Sequence, residues 1–265
     1  MTAHALLELS DVSYQANGAR ILDGVDWRIE RGLHWAVLGR NGAGKTTLLK
    51  IACGYIWPNA GGRVLREGVE LLDLRALRRS IGWVTSTLGE QIPPREAAVD
   101  TVVSGRYASL GLFRLCGERP SSDEYGEAKE MMERFGIADL ERRPFGVLSQ
   151  GERQKTLLAR ACMAWPMLMI LDEPCAGLDP ASRESFLAAV EQLAETPDAP
   201  TLVLVTHHIE EVMPAFTSTL VLDGGCVMSS GPTREVLSEG LVERLYDGAI
   251  SKLVWNKGRC WPIGC

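Results

Sequence analysis

The chain has 265 residues, 46% hydrophobic and 23% charged, with a formal net charge of -6. That length exceeds the usual single-domain size, so one large domain, or a core with a subdomain, of ordinary globular composition is expected. The acidic balance excludes a general nucleic-acid binder, which would carry a clustered basic surface, and no apolar run reaches the roughly 18 residues that a bilayer-spanning helix needs.

The N-terminal residues lack the basic and apolar stretches of a secretory leader, so a cytoplasmic location is expected. The 7 cysteines are odd in number and irregularly spaced, which fits reduced thiols rather than a disulfide framework. Cys53 and Cys162 lie in helical patterns and read as core thiols. Cys260 and Cys265 are a conceivable metal or redox pair, with no Cys or His partner near them.

In chain order, residues 6–14 and 21–30 read as strands around the turn signal Asn17-Gly18. Residues 34–38 form an apolar strand that runs into Gly39, Arg40, Asn41, Gly42, Ala43, Gly44, Lys45, Thr46 and Thr47. This stretch fits the phosphate-loop pattern of Gly, any four residues, then Gly-Lys-Ser/Thr, and it opens into a helical pattern. Its glycines let successive N–H groups face inward as an anion nest, and the following helix adds its positive end. Lys45 can reach the outer phosphates and Thr46 can offer a hydroxyl to Mg²⁺. A Gly-rich turn without a ligand is the competing reading; the strand–loop–helix context favours a nucleoside triphosphate site.

Further on, 63–72 and 81–85 read as strands, with a short helix at 75–80 between them. From about 95 to 147 the pattern is helical, with helices at 97–107 and 122–135, the latter capped by Ser121 or Ser122. After Leu148 come a helix at 151–164, a strand at 167–171, a helix at 181–193 and a strand at 201–205. Such alternation implies parallel strands with crossover helices. A strand pair at 219–222 and 226–229 follows, then a last helix at 234–246; the tail 247–265 shows no readable function.

Two further segments carry chemistry. The apolar strand at 167–171 ends in Asp172 and Glu173, at the strand end where open α/β sheets bind ligands. One carboxylate can serve Mg²⁺ and the next can orient and deprotonate a water; a helix-capping acid pair is the alternative. In Leu148, Ser149, Gln150, Gly151 and Glu152, Ser149 and Glu152 have capping-box spacing, and a helix N-terminus with a hydroxyl is equally an anion site. The residues alone leave that choice open.

The order of these motifs resembles the ATP-binding cassette (ABC) family. Leu148–Glu152 is similar to its signature sequence, 177–179 (Gly177, Leu178, Asp179) to its D-loop, Thr206-His207-His208 to its switch-histidine segment, and Tyr14 stands where the family stacks an aromatic on adenine. The match covers about 6–235. It implies an α/β P-loop NTPase (RecA-like) core at about 1–95 and 149–240, with an N-terminal antiparallel β subdomain, an inserted α-helical subdomain at about 96–148, and a tail at 241–265 of unknown role. It further implies that 39–47 hold the phosphates of ATP, with Lys45 catalytic, that Thr46 and Asp172 serve Mg²⁺, that Glu173 polarises the attacking water, and that His207 contacts the γ-phosphate. Residues 148–152 would close over the nucleotide of a second protomer, a homodimer partner or a paralogue.

Three positions depart from the family pattern. Gln150-Gly151-Glu152 replaces Gly-Gly-Gln, His208 stands where an Asp is frequent, and Ser86 stands where the Q-loop glutamine links Mg²⁺ to the membrane subunit, Gln91 being the nearest glutamine. The turns Gly105-Arg106-Tyr107 and Gly111-Leu112-Phe113 resemble ATPases of iron-chelate, vitamin B12 and molybdate-type uptake systems. The expectation is therefore an importer ATPase, peripheral on the cytoplasmic face of the membrane, with integral membrane permease subunits, a solute-binding protein and no nucleic acid as partner. The alternative is a soluble ABC protein acting as a regulatory or scaffolding switch, which Ser86 favours.

Overall fold

In the computed structural model, which describes residues 5–70, 73–112 and 119–264, the chain opens with strands β1 (Leu7–Ala16), β2 (Ala19–Ile29) and β3 (Trp35–Leu38), helix α1 (Lys45–Ala52), strand β4 (Arg63–Arg66) and helix α2 (Leu74–Arg79). Strand β5 (Ile81–Thr85), helices α3 (Ala98–Ser104), α4 (Ser122–Arg134) and α5 (Gln150–Cys162), strand β6 (Leu168–Asp172) and helix α6 (Pro180–Ala194) follow. Then come β7 (Thr201–Thr206), β8 (Ser218–Asp223), β9 (Cys226–Pro232), α7 (Thr233–Val236), α8 (Glu239–Leu245), β10 (Ile250–Asn256) and β11 (Arg259–Gly264). Two units result, Met1–Arg78 with Pro197–Cys265, and Arg79–Thr196.

In the first unit, β3 lies between β7 and β8 and pairs with both in parallel, Trp35 opposite Val203 on one side and Ser218 on the other. A strand hydrogen-bonded on both edges and covered on both faces can be apolar throughout, and every residue of β3 and β7 is buried. Strand β9 pairs antiparallel with β8. A separate 3-stranded antiparallel sheet has the order β2-β1-β4. Its hairpin turns at Asn17 (φ 52) and Gly18 (φ 77), the left-handed pair that matches strand twist and that Asn-Gly favours.

Arg66 closes the end of α1. It is 2% exposed, and its guanidinium donates to Ala52 O at 2.8 Å and Ile51 O at 2.5 Å. Those carbonyls belong to the last turn, where i→i−4 donors run out; Ile51 O also accepts from Gly54 N at 3.1 Å. Burial lowers the Arg66 pKa, opposed by the nearby Cys53.

In the second unit, β5 and β6 pair in parallel from Ile81–Leu168 to Thr85–Asp172. Helices α3, α4 and α5 pack on one another, and α6 packs on α5. Gly105 lets α3 approach α5 closely, since a Cβ there would lie 1.9 Å from Arg160 O. The Arg160 guanidinium, lowered to about 10 by burial, donates to Ser109 O at 2.6 Å and pins the turn after α3.

Several expectations are corrected. The strand expected at 63–72 stops at Arg66, because Glu67 (φ 49) and Gly68 (φ 79) turn the chain; Leu72 lies outside the described residues. The helix expected over 97–107 ends at Ser104 in a 3-10 turn. The last helix is two, α7 and α8, because Ser238 takes an extended backbone and caps α8 by accepting from Leu241 N. The tail is a hairpin, β10 with β11. Cys53, Cys162 and Cys260 are buried thiols outside any disulfide, with Cys162 raised to about 12 and Cys260 to about 11 by burial. Phe113, Cys116 and Cys265 lie outside the described residues.

Arg66→Leu removes the buried side-chain donor to Ala52 O, while Ile51 O keeps the Gly54 N–H at 3.1 Å. We expect a loss of about 1–3 kcal/mol in unfolding free energy, measured by urea denaturation.

Candidate functional site

The loop between β3 and α1 is shaped by what its glycines must avoid. A Cβ on Gly39 would lie 2.4 Å from Leu222 O of β8. On Gly44 (φ 99) it would lie 2.8 Å from Leu22 Cδ2 and 2.9 Å from Ile21 O of β2. Gly42 has φ 83, where a side chain would be strained. Lys45 is 6% exposed, and its ammonium donates to Gly39 O at 2.7 Å and Arg40 O at 3.1 Å, so the loop curls around its own lysine. Gly44 caps α1 without a side-chain bond, leaving the first helical N–H groups to the loop's concave side. Asn41 and Thr46 are exposed, Thr47 is half-buried and Ala43 is buried.

Tyr14 pairs across the strands with Leu22, the residue that touches Gly44. Cross-strand partners share a face, so one aromatic stands a single pair away from the phosphate loop. In the same unit β7 ends at Thr206, whose hydroxyl donates to the buried Glu211 carboxylate at 2.5 Å and accepts from His208 N at 3.0 Å. The His207 and His208 rings face each other with centroids 4.1 Å apart. Neighbours on a strand would point apart, but the chain has already left the strand here and turns into a 3-10 segment at Ile209–Glu211. Among the described residues no group of His, Cys, Asp and Glu is arranged to hold a metal ion.

In the second unit, β6 ends at Asp172, and Glu173 has φ 46. A non-glycine residue there costs on the order of 1 kcal/mol or more, a strain found where function holds it. Asp179 caps α6, accepting from Ala181 N at 3.0 Å, Ser182 N at 3.1 Å and the Ser182 hydroxyl at 2.5 Å. These bonds, the Ser182 hydroxyl first, hold its carboxyl below the ordinary value.

Ser149 and Glu152 form the capping box that their spacing suggests: Ser149 Oγ accepts from Glu152 N at 3.3 Å, and Ser149 N donates to the Glu152 carboxylate at 2.7 Å. A Cβ on Gly151 would lie 3.0 Å from Ser182 Cβ. Gln150 reaches sideways, with Oε1 2.9 Å from where a Gly177 Cβ would be. Leu148 is buried. Ser86 follows β5, and the Thr85 hydroxyl accepts from Leu88 N at 3.0 Å to start the 3-10 turn Leu88–Gln91, at whose end Gln91 is exposed.

The sequence profile of the ABC transporter family matches residues 22–176. The chain belongs to that family. The ABC transporter ATP-binding protein YlmA of Bacillus subtilis (strain 168), itself uncharacterised, is 39% identical over 256 residues, covering 96% of this chain and 95% of YlmA. The zinc transport system ATP-binding protein TroB of Treponema pallidum (strain Nichols) is 31% identical, over 97% and 92% of the two chains. The solved structure of CbiO1 from Clostridium perfringens, part of the ABC transporter complex CbiONQ, superposes with a TM-score of 0.77 at 27% identity, over 91% and 94%. This ABC protein has the P-loop NTPase fold and is an ATP-binding ATPase, the ATP-binding subunit of an ABC transporter. No helix among its described residues is long and apolar enough to cross a membrane.

Sequence reading missed Tyr246, Asp247 and Arg259 of this ATPase. Tyr246 donates to His207 O at 2.7 Å, Asp247 forms an ion pair with Arg40, and Arg259 donates to Glu210 O. No motif marks them, because each contact joins segments far apart in the chain.

Glu124 caps α4 as Glu152 caps α5, and both carboxyls lie below the ordinary value of 4.5, chiefly because a backbone N–H of the cap residue donates to each. Depressed folded-state pKa values contribute stability above the unfolded pKa that is lost as pH falls through the folded one. We therefore expect Glu124→Gln with Glu152→Gln to lower stability at pH 7, where the ionised carboxylates contribute, and to converge with the wild type as pH falls below about 4.5, so that the acid loss is flatter; acid titration of thermal melts reads both.

Proposed function

We propose that this protein is the ATPase of a membrane importer for a metal ion, metal chelate, oxyanion or similar small solute. The observation that carries the nucleotide site is Lys45, held by Gly39 and Arg40 carbonyls beneath an uncapped helix start. TroB, whose name gives zinc transport, and CbiO1 support the importer direction.

On this reading, residues 39–47 bind the β- and γ-phosphates and Tyr14 stacks on the adenine. Thr46 and Asp172 are oxygen donors of the kind a hard cation takes, and the exposed Thr46 hydroxyl suits Mg²⁺, which neutralises phosphate charge when bound. Glu173 orients the attacking water and takes its proton; a positioned base contributes about 10²–10⁴ in rate. His207 contacts the γ-phosphate. Leu148, Ser149, Gln150, Gly151 and Glu152, with Asp179, close over the nucleotide of a second protomer, so the working unit is a homodimer or a pair with a paralogue. ATP closes that dimer, hydrolysis reopens it, and permease subunits receive the motion at the cytoplasmic face, with a solute-binding protein delivering cargo.

Ser86 favours a second reading, a regulatory or scaffolding ATPase without membrane subunits. What supports it is that the residue directly after β5 is a short serine rather than a glutamine, with the nearest glutamine, Gln91, at the end of the following 3-10 turn.

Glu173→Gln should retain ATP binding, lose most turnover and accumulate as dimer on size-exclusion chromatography; unchanged turnover would remove Glu173 as the base. Crosslinking the same variant with ATP in cells separates the two readings. Stoichiometric capture of an integral membrane protein is expected, and its complete absence would leave the switch.

A further inference from the structure

Two donors from the C-terminal region meet two carbonyls of the turn that carries His207. Tyr246, at the end of α8, donates to His207 O at 2.7 Å. Arg259, the first residue of β11, donates through Nε to Glu210 O. The bonds lie at the two ends of 207–210, so the turn is held at both. Inside it, Thr206 Oγ1 accepts from His208 N and donates to Glu211. Neither outer donor is loosely placed: Arg259 is 8% exposed and its guanidinium lies 4.6 Å from the Trp261 ring centre. Burial, with the charge of Glu210 adding to it, raises the Tyr246 phenol to about 12, so it remains a donor at any ordinary pH. Next in sequence, Asp247 pairs with Arg40 of the phosphate loop. That pair is 51% and 71% exposed and therefore screened, which makes it the lesser contact.

We propose that Tyr246 and Arg259 are positioning residues for ATP hydrolysis, holding the 207–210 turn by its carbonyls so that the His207 imidazole keeps one orientation. The inference rests on the γ-phosphate role proposed for His207. A backbone carbonyl fixed on one side of the His207 peptide limits rotation of that peptide, and with it the direction in which the side chain leaves the chain. Tyr246 and Arg259 thereby act on catalysis through the turn they hold.

Steady-state ATP hydrolysis tests this with Tyr246→Phe, His207→Ala and the double variant. Tyr246→Phe removes one hydrogen bond, so kcat should fall about three- to tenfold while KM for ATP stays within roughly twofold. In the His207→Ala background the same change should add nothing, because Tyr246 acts through His207. Wild-type kcat in Tyr246→Phe, or losses that multiply in the double variant, would overturn the proposal while leaving the His207 role standing. Full turnover in His207→Ala would overturn both. Thermal melting checks folding, and if Tyr246→Phe melts below the assay temperature, Arg259→Gln makes the same comparison from the other end of the turn.

Discussion

A buried ammonium is costly unless its charge finds oxygen partners, and much of the first unit is arranged so that Lys45 has them. Its Nζ is held by Gly39 and Arg40 carbonyls, which requires the loop to bend back over α1. That bend requires glycine at Gly39, against Leu222 O, and at Gly44, against Ile21 O and Leu22. Those neighbours are in place because β3 is buried between β7 and β8 and because β2 lies beside α1 and β9. The unbroken apolar sequence of β3 is thus the foundation of the loop: polar residues there would have no place between two parallel neighbours.

The second unit applies another economy. Ser149 and Asp179 are helix caps whose local bonds suffice to explain them. A cap of this kind is compatible with the nucleotide role proposed for both segments, since it leaves backbone N–H groups at the helix start. Gln150 is the notable local choice. It lies against Gly177, so its amide rests on the neighbouring loop of the same unit, and Gly177 leaves room for it.

Local signals read well wherever one stretch of backbone sets the chemistry. Asn17-Gly18 specified its hairpin and Ser149 with Glu152 specified the start of α5, while of the two candidate caps Ser121 and Ser122 it is Ser121 that starts α4. Reading failed where a short-range pattern competed with an unseen partner. The apolar spacing across 234–246 suits one helix, but Ser238 interrupts it with an extended backbone. The apolar run of β7 does not show that the chain leaves the strand at Thr206 and brings the His207 and His208 rings together.

The sequence by itself determined the family and the order of the elements through β9, because each rests on contacts within a few residues or on a spacing written in the chain. Only the tertiary structure decided that Arg66 closes α1, that Glu173 sits at φ 46, and that Tyr246 and Arg259 grip the turn behind His207. The reason is physical: these depend on which distant carbonyl or strand comes within hydrogen-bond reach, and sequence separation carries no record of that distance.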